Sequence, residues 1–373
     1  MPHPMGGLRF DIVNDRAGLD ELRGPWSALA ARAPEQNVFL TWDWAATWWR
    51  HFALLDRLHV LVVHDGNDVV AIAPFSRATL GIAGRGFDVL FGLGQEAADY
   101  GGFVVGAAGA DATRVTAPIL DHLLRRVSSG LAVVNLGRLR DDSSTLAVLA
   151  DATGPVRSAD LARDFDEEYP FLDFASLDDA ARHVSRLQKR NDVRRRLRRL
   201  GEKHEVVFTY REEPAGRALD EFFALHDRRW SDKGAEASGL FVSRHGRAFL
   251  RDVAGSLHEH VRISSVRADG QPVAMRFGYE YGDRYYGVKS AFAPEFSAYG
   301  PGHLIVGLLL THLVDSGVQE FDFMRGAGEH KDSWAGATRR VGYWSMARSG
   351  RVGAAARWAR WQALRARARL RAR

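Results

Sequence analysis

Residues 285–336, YYGVKSAFAPEFSAYGPGHLIVGLLLTHLVDSGVQEFDFMRGAGEHKDSWAG, hold the densest set of groups that could do chemistry. Gly300, Pro301 and Gly302 open an apolar run that predicts a helix from about Gly302 to Ser316, stopped at Gly317. Pro301 suits the entry, where its missing N–H costs nothing. The first amides of such a helix lack internal partners and carry the positive end of its dipole, so they suit a phosphate. The glycines remove side chains and would let a ligand approach the backbone. Predicted strands at Tyr285 to Phe292 and Val318 to Met324 flank the helix. The segment is therefore either a cofactor cradle or an ordinary βαβ unit with a glycine turn.

Asp322 is the candidate base or acceptor-orienting residue, because it sits in an apolar strand with Phe321 and Phe323 expected on the opposite face. A carboxylate there is solvated, ion-paired or functional. Arg325 and Lys331 are its candidate partners, or ligands for an anionic acceptor. Lys289, in a strand where burial without a partner is costly, would bind an acidic group or pair with Asp322. Tyr299 and His303 flank the glycine turn and could protonate a leaving group, or serve only to cap and pack. Glu329 and His330 are weaker candidates, and Trp334 is a pocket wall or a core residue.

The composition bounds the class. The 373 residues are 46% hydrophobic and 26% charged, values of a globular protein with two or three domains. The absence of cysteine excludes disulfides, thiolate metal sites and a cysteine nucleophile. His258 and His260 stand two apart and would not chelate from one helix, so no metal is assigned. MPHPMGGLRF lacks a basic-then-apolar leader, and the apolar stretch around Leu304 to Leu310 is too short to span a bilayer. A cytoplasmic protein is expected. Net charge is +5, and the eight arginines of residues 351–373, with no acid among them, account for more than all of it. With Trp358, Trp361 and Leu364 on one flank, this tail fits a helix on an anionic membrane at its inner face. Packing on the body and disorder are the alternatives.

The supporting elements repeat. A strand at 8–13, a helix from Leu19 to Arg32 and a tryptophan-rich helix from Thr41 to Phe52 lead to a hairpin around Asp65-Gly66-Asn67. Strands near 87–91 and 102–105, a helix over roughly 112–127 and a strand from 132 follow. A second hairpin, around Asp269-Gly270, aligns with the first at an offset of about 204, and a helix and strand again follow. Domains are expected over 1–165 and 166–350, with 351–373 as a basic tail. Between the hairpins, a helix from Leu177 to Leu200 carries an apolar seam (Val184, Leu187, Val193, Leu197, Leu200) on an otherwise basic surface. It could bind phosphate groups, or simply link domains. Trp42, Trp44, Trp48 and Trp49 form a sugar-stacking surface or core packing.

Three segments carry a family resemblance: NVFLTWDWAATWWRHF (37–52), SRLQKRNDVRRRLRRLGEK with the strand and helix after it, and the stretch from Tyr285 to Trp334. The chain resembles the GNAT-related acyltransferases of the CelD-like, cellulose-biosynthesis type, similar in architecture to Fem-type aminoacyltransferases. The resemblance implies an α/β (α+β) fold of two tandem GNAT-like domains with mixed central sheets. It implies acyl transfer from acyl- or acetyl-coenzyme A to an amine or hydroxyl, with a sugar or exopolysaccharide precursor as acceptor. In that frame Tyr285 to Phe292 splays from its neighbour along the pantetheine arm. Gly300, Pro301, Gly302, His303 and Leu304 meet the pyrophosphate, with Lys289 and Tyr299 beside them. Asp322, Lys331 and Arg325 stand at the acyl end. The family's Arg/Gln-x-x-Gly-x-Gly/Ala signature does not precede Gly302. A near match, Gly81-Ile-Ala-Gly84-Arg-Gly86, is followed by a predicted strand rather than a helix. Two other functions remain open: an aminoacyl-tRNA-dependent transferase, and a non-catalytic binding protein on the duplicated fold.

Overall fold

The computed structural model describes residues 7–53, 56–82, 85–129, 132–151, 159–230, 239–326 and 328–372. The chain forms two compact units: unit 1 from 1–167 and 340–370, and unit 2 from 168–339. Unit 1 is thus split in sequence, its second part following unit 2.

Unit 1 opens with β1 (Leu8–Val13), α1 (Arg16–Glu21) and α2 (Arg23–Arg32), two short helices where one was expected. The Trp-rich α3 (Trp42–Phe52) starts where the Thr41 hydroxyl accepts the Trp44 N–H at 3.3 Å. Strands β2 (Arg57–Asp65), β3 (Asp68–Ile82), β4 (Arg85–Gly92) and β5 (Val104–Val105) follow, then α4 (Gly109–Ser128), β6 (Ala132–Arg140) and α5 (Ser144–Asp151). The next strand, β7 (Ala159–Asp173), crosses from unit 1 into unit 2.

Unit 2 continues with α6 (Ala180–Arg190), α7 (Val193–Gly201), β8 (Val206–Thr209), α8 (Ala215–Trp230) and α9 (Arg244–Ser256). Its hairpin is β9 (Val261–Ala268) and β10 (Gln271–Tyr281), followed by β11 (Arg284–Phe292), α10 (Pro301–Asp315), β12 (Glu320–Asp322) and the single turn α11 (Glu329–Asp332). The chain then returns to unit 1 through β13 (Ala337–Arg348) and α12 (Arg351–Ala372).

The repeat is visible in the pairing. Unit 1 orders its strands β1-β2-β3-β4-β6-β13, and unit 2 orders them β8-β9-β10-β11-β12-β7. In each, one central pair is parallel, β4 with β6 and β11 with β12, and the other pairings for which a register is resolved are antiparallel. The last strand of unit 1's order, β13, follows unit 2 in sequence, which is why unit 1 is discontinuous. The turns are closed by Asp65–Asp68 and Ala268–Gln271, one residue off the gap-free alignment. Asp269 and Gly270 both take positive φ, as the tightest hairpin turn requires.

The long basic helix is interrupted. Asn191 ends α6, and Asp192 adopts the left-handed conformation (φ 56) before α7 begins. The Asn191 amide donates to Leu187 O at 3.0 Å and Ser333 O at 3.1 Å, which fixes the break. The end of α10 is set by Gly317 (φ 78): Gly317 N–H donates to Val314 O and Val318 N–H to Leu313 O, a Schellman arrangement. The apolar residues of α10, with Val184, Leu187 and Val193, pack on Tyr285 and Phe321 to make the unit 2 core.

The C-terminal helix does not present one free apolar flank. Arg360 is fully buried in unit 1, donating to Asp164 at 2.7 Å and Asn135 at 3.1 Å, and Trp361 stacks near Phe165 and Tyr343. Trp358 is 63% exposed. No helix among the described residues is long and apolar enough to cross a membrane.

Two measurements check these assignments. Arg360→Ala leaves the Asp164 carboxylate without its buried counterion and is expected to cost roughly 3–5 kcal/mol in urea unfolding. His59 and His122 meet through their Nε2 atoms at 3.2 Å. Burial and the Arg126 guanidinium pull His59 down to about 4 and lower His122 in the same direction. An unfolded imidazole titrates near 6.5, so the unfolded chain binds more protons between about pH 4 and 6.5. This stability is complete above pH 6.5 and is lost as pH falls toward 4. The melting temperature should be flat from pH 7.5 to 6.5 and drop by pH 5, with a shallower drop in His59→Gln.

Candidate active site

In unit 2, β11 pairs with β12 over three residues only: Arg284 with Glu320, Tyr285 with Phe321 and Tyr286 with Asp322. Beyond them the strands part. β11 runs on to Phe292, whereas Phe323 donates its N–H to Pro170 O at 3.0 Å and Met324 turns left-handed at φ 61. On its other side β11 bulges. Phe277 faces Lys289 and Tyr279 faces Tyr286, so Gly287 and Val288 together oppose Gly278. Both glycines are needed for space. A Cβ on Gly287 would strike the Arg276 guanidinium, and one on Gly278 would strike Tyr286 O and the Tyr285 hydroxyl.

Arg276 holds the bulge. Its guanidinium donates to Gly287 O at 3.0 Å and to Ser290 Oγ at 2.8 Å, and it lies 5.1 Å from the Phe321 ring centre. Burial pulls its pKa below the ordinary arginine value. Burial also pushes Tyr285 up to about 12, with Arg276 opposing. Lys289, the cation singled out in this strand from sequence, is half-buried one residue beyond the bulge.

The far end of β11 leads to the start of α10. Gly300 takes φ 60 and ψ 57, and no side chain caps the helix. His303 and Leu304 send their N–H groups back to Gly300 O at 3.0 and 3.2 Å. Arg196 of α7 lies over this turn, where a Cβ on Gly300 would collide with it, and its Nε donates to Asn191 O at 3.1 Å. Arg199 of the same helix stands 5.6 Å from the Tyr299 ring centre. The position three residues before Gly300 is Ser297, and the cations beside this turn come from α7. Burial, then Arg196, pulls the His303 imidazole below its ordinary value. Its ring lies 5.6 Å from His330 and 6.0 Å from Trp334, and its Nδ1 is buried without a hydrogen-bond partner among the described residues. Trp334 is fully buried in the core beside Gly307.

The acidic and basic candidates fall into a network at the end of β12. Asp322 is fully buried. Its Oδ1 accepts the Met324 N–H at 2.7 Å and its Oδ2 faces Arg339 at 3.5 Å. Arg339 also bonds Glu320 at 2.6 Å and lies 4.0 Å from the centre of the Phe171 ring, while Arg284 reaches Glu320 at 2.7 Å. Phe321 and Phe323 are buried too, so both faces of this strand are covered and neither is solvated. Lys331 donates to Met324 O at 3.0 Å and Arg325 O at 2.6 Å, tying the loop on which Arg325 is exposed. Arg196, Arg276 and Arg339 were not singled out from sequence. Nothing in local spacing separates them from the other arginines.

Two further candidates resolve. The near-signature around Gly81 to Gly86 lies at the β3–β4 hairpin, with residues 83 and 84 outside the described residues. Trp42, Trp44 and Trp48 are buried in unit 1, and the indoles of Trp42 and Trp44 donate to Leu19 O at 2.7 Å and Gly94 O at 3.3 Å. They are core residues. On α6 and α7 a groove of about 570 Å³ is bordered by Arg182, Arg186, Lys189, Arg194, Arg195 and Arg198.

A mixed sheet whose parallel central strands part beside a glycine-flanked helix start matches the architecture of GNAT-type acyltransferases. Residues 188–332 match the acetyltransferase (GNAT) domain family. FemX is similar in structure, at a TM-score of 0.57 and 12% identity over 89% of this chain and 97% of that one. The C-terminal domain of a protein assigned as a lysylphosphatidylglycerol synthetase in Agrobacterium fabrum matches at 0.53 and 14% over 92% and 96%. A conserved protein of unknown function from Bacteroides thetaiotaomicron VPI-5482 matches at 0.56 and 11% over 91% and 100%. These likenesses establish a shared fold. No curated protein sequence matches the chain.

The network makes a prediction about Asp322. Asp322→Ala leaves the Met324 N–H and one side of Arg339 without an acceptor, and should cost roughly 2–4 kcal/mol in urea unfolding. Asp322→Asn keeps the Oδ1 acceptor and should cost less. Loss of function at unchanged stability would instead mark a direct chemical role.

Proposed function

We propose that unit 2 transfers an acyl group from acyl-coenzyme A to an amine or hydroxyl. The observation that carries this is the parting of β11 and β12 next to the uncapped, Arg196-flanked start of α10. The match of residues 188–332 to an acetyltransferase domain supports it. The pyrophosphate would lie on the first amides of α10 with Arg196 beside it. The pantetheine arm would follow β11, with its thioester at the bulge.

The acceptor's nitrogen or oxygen bonds to the acyl carbon, the C–S bond breaks, and the acceptor's proton ends on the thiolate. Backbone N–H groups at Gly287 and Val288 are the groups to meet the oxyanion. His303 and Tyr299, at the turn, would contact the donor's pyrophosphate end, a pantetheine length from the thioester. Asp322 and Lys331 act by holding the loop at the acyl end, and Lys289 and Arg325 stand where an acidic acceptor would meet them. A sugar or glycan precursor is the acceptor class proposed.

Calorimetric titration with acetyl- and longer acyl-coenzyme A tests the donor. Binding is expected, and Arg196→Ala should weaken it roughly tenfold or more. Gly302→Val should remove it while keeping the fold, because a Cβ at Gly302 meets only His330, at 3.5 Å. No binding of any coenzyme A thioester would end the donor assignment.

The groove on α6 and α7 favours a second reading, an aminoacyl-tRNA donor. Arg186, Lys189 and Arg194 border it, and their side chains have no partner among the described residues. Binding of tRNA that falls steeply with salt would support that reading over the first.

A further inference from the structure

Unit 1 has its own version of the parted strands, and it is filled. β4 and β6 are parallel from Asp88–Ala132 to Phe91–Asn135, then diverge. Aligned on the last pair, Gly92 corresponds to Gly287, and Gly137 (φ 77) corresponds to Met324 (φ 61). The same strand order, the same single parallel pair and the same left-handed residue two positions past it recur in both units.

What differs is what lies between the strands. In unit 2, β11 runs on to Phe292. In unit 1, β4 ends at Gly92 and the chain turns back, so that Gly101 donates its N–H to Arg138 O on β6 at 2.7 Å. The Gln95 side chain, 8% exposed, is enclosed by three glycines: a Cβ on Gly92, Gly101 or Gly137 would run into it. The loop is tied in place. Leu93 N–H donates to Pro74 O at 2.8 Å, Gly94 O accepts the Trp44 indole, and Phe103 N–H donates to Thr145 Oγ1 at 2.9 Å.

We propose that residues 93–101, with the Gln95 side chain at their centre, occupy the space in unit 1 that a thioester arm would take in unit 2, so each chain holds one acyl donor. The three glycines clear room for the glutamine amide, as Gly287 and Gly278 clear room around the unit 2 bulge. The tryptophan helix α3 anchors this filler through Trp44. The proposal rests on unit 2 being the donor site, but the filling of unit 1 can be tested separately.

Calorimetry with acetyl-coenzyme A should give one donor per chain in the wild type and none in Gly302→Val. Two donors per wild-type chain, or one remaining in Gly302→Val, would overturn the proposal. If the wild type binds no donor, the reading of unit 2 fails, and the filler is judged by stability alone. Gly92→Ala and Gly101→Ala should each lower the melting temperature by about 4–10 °C. Most of that loss should disappear when each is combined with Gln95→Ala, measured against Gln95→Ala itself. An equal loss in both backgrounds would refute a filled notch.

Discussion

Everything at the candidate site depends on how few residues join β11 to β12. Three parallel pairs hold them, and then two backbone devices drive them apart: the bulge at Gly287 and Val288, and the left-handed turn at Met324. A fully paired sheet would satisfy its backbone groups internally and offer a ligand nothing. Parting the strands opens a gap in the middle of a rigid sheet rather than at a mobile edge. The cost is borne by side chains. Arg276 bonds the bulge carbonyl, Asp322 accepts the Met324 N–H, and Lys331 takes the next two carbonyls.

This explains why so many charged groups are buried around one short strand. Along the ion-pair chain Arg284–Glu320–Arg339–Asp322 the charges alternate in sign, and Arg339 lies on Phe171. A buried charge is tolerated when its partners are close and hydrogen-bonded. The network therefore works as a frame for the loop after β12. In the proposed reaction the oxyanion is met by backbone amides, which fits a transfer that needs an oxyanion stabilised more than it needs a strong base.

The two units share one topology and differ in what lies beside their parted strands. Both have the parting, the positive-φ residue and the following helix. In unit 2 the next helix starts under Arg196, and in unit 1 the chain folds back and fills the opening with a glutamine. Of the tryptophans that looked like a sugar platform, Trp44 anchors that filling through Gly94 O. Unit 1's final strand, β13, follows unit 2 in sequence, so unit 1 is not a simple contiguous segment.

The sequence by itself determined the elements whose signals are local. Proline and glycine marked the start of α10, Gly317 marked its end, Asp-Gly marked the second hairpin, and the repeat of order marked two α/β units. These follow from backbone sterics and periodicity acting over a few residues. The break at Asp192 escaped because basic residues continue through it, and its cause, the Asn191 bond to Ser333, lies far away in the chain. Only the tertiary structure decided which of 51 lysines and arginines matter at the site. Arg196 sits over Gly300 and Arg276 behind Gly287 because helix packing and strand register bring them there. It also buried Asp322 between the Met324 N–H and Arg339, since whether a carboxylate on a short strand is solvated depends on what covers both faces of the sheet.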